Sequence, residues 1–347
     1  MSENSNENMK VDEVMNNPET TITMIGAGGA GIHIVDYIYN KISDELANIV
    51  NFNIYGIDAS GSDMGIIPDT TRLSKDGIGD EPLSGSGSNI AENWMNVKPG
   101  VIKWLNEHPS IITPNDKHFV LIFAGIGGGS GGAIALRLIE QLKNRDVNCL
   151  LFFAGETKDL GSALNTKDAL SLLNKLSRGV LHKPVSLYYS DNMNDGHHNK
   201  LQVNGYMAGY TKYFSILASS LNEGVDQSEM TKITNPDKFS RFTIPEGVYL
   251  TDAVSKNIAQ SFRNVRAILA RYIAPIDMES TVAGSADHTR QGITHPSITN
   301  IVGQTPVGVY ITNIGFKPMV VDISNKISAM EHEKMSDDIE DTTGLEF

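Results

Sequence analysis

An apolar run followed by a burst of glycine constrains this chain more than any other feature. Phe119 to Ala124 has the length and composition of a strand buried on both faces. Glycines follow at 125, 127, 128, 129, 131 and 132, interrupted only by Ile126 and Ser130, and a helical pattern then runs from Ala133 to Leu142. A tight turn needs one or two glycines, not six in eight residues. Bare backbone N–H groups beside a helix N-terminus, with its unpaired donors and positive dipole end, form an anion cradle. The stretch predicts a strand–loop–helix unit that holds phosphate.

A second unit of the same kind lies upstream. Thr21–Ile25 reads as a strand, Gly26–Gly31 as a glycine loop and Ile32–Ile38 as an apolar helix. The next strand, Phe52–Ile57, ends in Asp58, where a dinucleotide enzyme carries its ribose-binding carboxylate. Taken alone, this half supports an NAD(P)-dependent oxidoreductase with a Rossmann-type site at Gly26–Gly31. Two glycine loops after two different strands instead favour a longer phosphate chain gripped from two sides. A non-catalytic assembly protein that binds nucleotide only structurally is a third reading.

Charge and composition narrow the partners. A net charge of −13 argues against direct nucleic-acid binding, which needs basic surface. It leaves phosphate binding open through backbone donors and a bound cation. The single cysteine, Cys149, lies in the apolar run Val147–Phe153, which predicts core packing and a reducing compartment. No apolar run approaches the roughly 20 residues of a membrane span, and Met1–Asn17 is polar and acidic rather than a leader, so the expected location is the cytoplasm.

Along the chain, residues 1–18 read as a disordered extension and Lys75–Asn89 as a Gly/Ser-rich lid. Ile90–His108 reads as a helix broken at Pro99, with Trp94, Val101 and Trp104 packing inward. The strands Val147–Ala154 and Val185–Tyr189 flank the helix Ser162–Arg178, extending a strand–helix rhythm that predicts an α/β parallel-sheet nucleotide-binding domain. Its ligand belongs at the C-terminal ends of the strands. His197 and His198, adjacent in a polar loop, read as solvated. Gln202–Leu221 is apolar on several sides, as a long central helix buried between two layers would be, with Gly224 as its stop. Beyond it a smaller α+β C-terminal domain is expected. Its strands are Gly247–Leu250, Ile268–Ile273, Ile298–Val302 and Val307–Ile314, with a helix at Asp252–Val265 and a polar loop at Met278–Ile293. A C-terminal helix, Val320–Met335, and a disordered acidic tail close the chain.

The run Gly125-Ile-Gly-Gly-Gly-Ser-Gly-Gly-Ala133 resembles the signature of the tubulin/FtsZ superfamily, a glycine triplet followed by Thr or Ser and then Gly. The order of loops supports the likeness, which spans roughly residues 20 to 335. Ser130, the short acid loop Leu221–Glu229 and the acidic tail make the chain similar to the bacteriophage tubulins of the PhuZ type.

That resemblance implies a tubulin/FtsZ-like division of the chain: an N-terminal extension (1–18), a GTP-binding domain (19–201), a central helix (202–223), an acid loop with a C-terminal activation domain (224–318), a C-terminal helix (319–335) and an acidic tail (336–347). It implies GTP/GDP and Mg²⁺ as ligands, with no metal held by the protein alone. Gly28, Gly29, Ala30, Gly31 and His33 match the first nucleotide loop, His33 standing where cellular members carry Asn. Asp58, Ala59 and Ser60 match the second loop, and Ser88 and Asn89 the γ-phosphate loop. Gly127, Gly128, Gly129, Ser130 and Gly131 match the signature. Glu156 and Asn165 match the sugar-side loop, and Asn204 the guanine-reading position. Asp226 and Glu229 match the catalytic acid loop, which reaches into the next subunit's site, although Asp-x-x-Glu also reads as a helix N-cap with an acidic first turn. The implied function is an assembly-stimulated GTPase that polymerises head to tail into a homopolymer. Its acidic tail would dock on the neighbouring subunit, and it would position phage DNA or the replication compartment in the cytoplasm of an infected bacterium.

Overall fold

The computed structural model describes residues 18–73, 90–194, 197–219, 222–223, 225–238, 247–251, 267–274, 288–294, 307–312 and 316–343. The expected N-terminal disorder, the lid at Lys75–Asn89, the helix Asp252–Val265, the strand Ile298–Val302 and the stop at Gly224 lie wholly or almost wholly outside these residues.

Parallel strands form the spine. β1 (Thr21–Ala27) runs directly into α1 (Gly28–Leu46), and β2 (Asn51–Asp58) leads to the short β3 (Thr70–Arg72). The helices α2 (Ile90–Asn96) and α3 (Lys98–Glu107) precede β4 (His118–Gly125), which feeds α4 (Ser130–Lys143). β5 (Cys149–Gly155), α5 (Leu160–Leu176) and β6 (Val185–Asp191) follow, then the central helix α6 (Lys200–Ala218). Next come β7 (Asn222–Glu223), α7 (Gln227–Thr234), β8 (Gly247–Thr251), β9 (Ala267–Ala274), β10 (His288–Thr294), β11 (Val307–Thr312) and α8 (Lys317–Thr343).

The strand order is β3-β2-β1-β4-β5-β6-β8-β11-β9-β10-β7. From β3 to β8 every neighbour is parallel, while β11 pairs antiparallel with both β8 and β9. Strands buried on both faces read as continuous apolar runs, and β4 and β5 do so. Alternate residues serve opposite layers. Phe119, Leu121, Phe123, Leu150 and Phe152 pack against α1 and α6, whereas Val120, Ile122, Leu151 and Phe153 pack against α3, α4, α5 and the start of α8. Phe152 stacks on Phe123 at 4.5 Å and meets Tyr210 of α6 edge-on at 5.5 Å. The central helix also packs against β11, so it touches both halves of the sheet.

Several expectations are corrected. Pro99 does not break a helix; it sits in the first turn of α3, where its missing N–H costs nothing, and the break falls at Val97. The central helix ends at Ala218, short of Leu221, because Ser219 turns extended while its Oγ donates to Ile216 O at 2.8 Å. The polar loop expected at Met278–Ile293 contains β10, whose residues pair with β9 on one side and β7 on the other. The C-terminal helix is longer than Val320–Met335: α8 continues through the first part of the acidic tail to Thr343, and no helix breaker intervenes before Gly344. Among the described residues no helix is long and apolar enough to cross a membrane.

Candidate functional site

The C-terminal ends of the parallel strands open on a cavity of about 470 Å³, within the usual range for small-ligand sites. Its floor comes from the two glycine loops. Gly28 holds a left-handed backbone, φ +70, and a Cβ there would lie 2.7 Å from the Cα of Gly131. The two loops therefore touch through glycine, and a side chain on either would push them apart. Gly128 differs, since a Cβ there would meet nothing within 4 Å.

Helix capping distinguishes the two glycine-loop helices from the other helices that start near the cavity or the acid pair. α5, α6 and α7 begin with Asp159, Asn199 and Asp226, whose side chains accept from Ser162, Gln202 and Glu229 backbone N–H groups. α1 and α4 begin with Ala27 and Gly129 and have no side-chain cap. Their first-turn donors, left unpaired by the helix, face the region where the glycine loops meet. That arrangement suits an anion.

Side chains line the remaining walls. Glu156, 8% exposed, accepts at Oε2 from His198 Nε2 (2.8 Å) and from Asn192 Nδ2 (3.4 Å). Its Oε1 is buried with no hydrogen-bond partner among the described residues. A buried carboxylate oxygen left without a donor is costly, and a ligand hydroxyl would satisfy it. Thr166 fixes this loop by exchanging hydrogen bonds with the Glu156 backbone N–H and carbonyl, each 3.0 Å. His33 Nε2 lies 3.2 Å from Asp63 Oδ1 at the rim.

Of the residues expected from sequence, Gly28, Gly29, Ala30, His33, Gly127, Gly128, Ser130, Gly131, Glu156 and Asn204 line this one cavity, while Gly31 faces away from it, packed so closely on β4 that a Cβ would collide with Phe123 O. Gly129 caps α4 beside them. Asn165 stands behind the wall, donating from Nδ2 to Gly127 O at 3.0 Å. Asp58, Ala59 and Ser60 are not part of the lining. The Asp58 carboxylate, 1% exposed, turns onto its own loop, accepting from Ala59 N at 2.7 Å and Ser60 Oγ at 2.6 Å. Ser88 and Asn89 lie outside the described residues. Lys158, Ser162, Asn192 and Lys200 line the cavity and were not anticipated. Each sits in a loop or first helical turn that follows a strand end, which was the available signal. His197 and His198 are exposed, as expected, and pair with Asn194 and Met193 in a two-residue ladder, where His198 also holds Glu156.

Asp226 and Glu229 lie elsewhere. Asp226 is the N-cap of α7, accepting at Oδ1 from Glu229 N at 2.9 Å and from Ser228 Oγ at 2.7 Å. These bonds to the charged form hold its carboxyl below the ordinary aspartate range, the Ser228 hydroxyl contributing most. Glu229 is buried and paired with Lys232 at 2.6 Å. Gln227, between them, donates to Ala218 O (3.2 Å) and Thr20 Oγ1 (3.3 Å). Thr20 precedes β1, so the acid pair sits at the N-terminal edge of the sheet. Asn204 is in the second turn of α6 and Ala218 at its end; the helix's 19 residues span about 28 Å.

No metal-binding cluster of three or more His, Cys, Asp or Glu side chains is present among the described residues. No family model and no curated protein matches this sequence. Solved structures do match. A protofilament of TubZ from bacteriophage PhiKZ is 16% identical, with TM-score 0.72 over 90% of this chain and 92% of that one. The phage tubulin PhuZ with GDP is 17% identical, TM-score 0.71, over 91% and 92%. The GTPγS-form protofilament of Bacillus thuringiensis serovar israelensis TubZ is 14% identical, TM-score 0.61, over 99% and 100%. The chain therefore has the tubulin/FtsZ-like fold, in the form seen in the phage tubulins.

Proposed function

We propose that this chain binds GTP, assembles head to tail into filaments and hydrolyses GTP at the contact between subunits. One observation carries the reading: the phosphate cradle and the acid pair occupy opposite ends of the same sheet. A heterologous contact that stacks one copy on the next repeats without closing, and it sets the acids of one subunit over the cradle of another. The similar structures include two protofilaments, one of them in a GTPγS form, and a phage tubulin with GDP, which supports the reading.

In this assignment the backbone N–H groups of Gly28–Gly31 and Gly127–Gly131 take the phosphates, and the Ser130 hydroxyl adds a donor. Asp58, Ala59 and Ser60 shape the second loop, and Ser88 and Asn89 reach the γ-phosphate. Glu156 accepts a ribose hydroxyl at Oε1, Asn165 keeps the wall in place and Asn204 reads the guanine edge, where an amide both donates and accepts. His33 sits at the phosphate rim. Mg²⁺ fits as an ion carried by the triphosphate and hydroxyls, which suits a lining without a carboxylate cage; when bound it would neutralise developing charge. Asp226 and Glu229 of the neighbour orient the attacking water.

The test is phosphate release and pelleting across protein concentration with GTP, against ATP and GDP. Turnover per subunit should rise with concentration, and Asp226→Ala and Glu229→Ala should bind GTP yet release no phosphate. Wild-type turnover in either variant removes that residue from the mechanism. The acidic tail docks on the next subunit in this reading, so deletion of residues 336–347 raises the critical concentration; unchanged assembly would make the tail a solubilising end. The cellular role that fits is positioning phage DNA or the replication compartment in the cytoplasm of an infected bacterium. A fluorescent fusion tracking the phage DNA would bear this out, and one indifferent to it would not.

A further inference from the structure

The acid helix is gripped at its far end by the same nucleotide-binding domain whose helix α4 starts in the glycine loop. α4 begins at Ser130 in the phosphate cradle and ends about 21 Å away at Lys143. Lys143 is 1% exposed. Its ammonium donates to the backbone carbonyl of Thr234, the last residue of α7, and to Asn235 Oδ1 at 2.8 Å. Asn148, leading into β5, accepts from Asn235 Nδ2 at 2.8 Å and from Thr234 Oγ1 at 3.1 Å. Ser186 Oγ on β6 donates to Ile233 O at 2.7 Å. The final carbonyls of a helix have no partner within it, so two of those in α7 are met by side chains from the sheet below. A cation also suits the negative end of a helix dipole.

Burial makes this arrangement informative. The acceptors of the Lys143 ammonium among the described residues are amide oxygens, not carboxylates; burial lowers its pKa and the charge of Asp237 offsets that only in part, so the cation is expensive here. An apolar side chain would fill the same space without that cost. What the lysine adds is direction: its two hydrogen bonds join two to Asn148 and one from Ser186 in fixing where the base of α7 sits.

We propose that Lys143, with Asn148 and Ser186, positions the acid pair: it fixes the base of α7 to the nucleotide-binding sheet so that Asp226 and Glu229 meet the next subunit's phosphates in register. This rests on the proposed function. α7 is about 12 Å long, so a tilt of roughly 5° at its base moves Asp226 by about 1 Å. A misplacement of that size can cost about a hundredfold in rate.

Two variants test it, with Asp226→Ala as the reference. Lys143→Met removes the donor at similar volume, and Ser186→Ala removes one hydroxyl with little risk to folding. For each, GTP affinity of the monomer, the urea midpoint and phosphate release per pelleted subunit are measured beside Asp226→Ala. Turnover per assembled subunit should fall about 10- to 100-fold in Lys143→Met and less in Ser186→Ala, while GTP affinity changes less than about threefold. A 1:1 mixture of Lys143→Met with Asp226→Ala should turn over no faster than Lys143→Met alone, because neither supplies a competent acid helix. Recovery in that mixture would place the lesion in the glycine loop and overturn the proposal. Wild-type turnover per assembled subunit in both Lys143→Met and Ser186→Ala, with Asp226→Ala inactive, overturns it alone. A wild-type chain that releases no phosphate overturns both this proposal and the function on which it rests.

Discussion

Two glycines of one loop should fail in opposite ways. A methyl on Gly131 would lie 2.7 Å from Gly125 O and 2.8 Å from Ala27 O, about 0.6–0.7 Å inside ordinary contact at two backbone atoms. Neither carbonyl can swing aside as a side-chain tip could. Gly131→Ala should therefore destabilise the fold by about 1–3 kcal/mol, the usual range for overpacking. Gly128 faces open space and its φ lies outside the left-handed region, so Gly128→Ala leaves stability within about 0.5 kcal/mol of wild type. The new methyl does crowd the cradle. Losing one hydrogen bond to a charged ligand costs about 1.5–3 kcal/mol, or about ten- to a hundredfold in Kd. Urea unfolding and titration with a fluorescent guanine nucleotide separate the two effects. Wild-type nucleotide affinity in Gly128→Ala would show that the loop is not the phosphate cradle, and wild-type stability in Gly131→Ala would refute the packing argument.

Other expectations follow from buried groups. His118 is buried against Thr23 Oγ1 at 2.8 Å, and burial lowers its pKa below the usual 6.5. The unfolded chain then binds a proton more readily than the folded one, so stability is fully present above pH 6.5 and falls as pH drops below it; urea midpoints in His118→Gln should lose that slope. Cys149 is fully buried with its thiol pushed up by burial, so a thiol reagent at neutral pH should label it only when urea unfolds the chain. Asn165→Ala should weaken nucleotide binding about three- to tenfold although the residue does not line the cavity, because the Gly127 carbonyl loses its tether; binding at wild-type strength would mean the loop holds its shape unaided.

The glycine loops and the strands that feed them were legible because their chemistry is local. β4 is an apolar run that ends in glycine and β1 also leads into a glycine loop, and only a loop that lies against another backbone needs so many. The Asp58 placement was not legible, since an aspartate can bond the N–H of the next residue as readily as a ligand, and only coordinates distinguish the two. His198 was unreadable for the opposite reason: its partner Glu156 is 42 residues away. β10 was missed because His288–Thr294 is polar, and its partners β9 and β7 lie far away in the sequence. Lys143 shows the limit most clearly. In sequence it is one more lysine at the end of an amphipathic helix, and its burial under α7 is a property of the packed fold alone.

The missing caps on α1 and α4 have a thermodynamic consequence. Where a side chain would have closed each helix, the chain leaves the task to whatever occupies the cradle, so the ligand becomes a detachable part of the secondary structure. Under the proposed function, linkage then ties the folded population to nucleotide supply: at a free concentration one hundred times Kd the bound chain gains about 2.7 kcal/mol over the empty one. A subunit that loses its nucleotide is thus the less stable species and the more exposed to proteolysis.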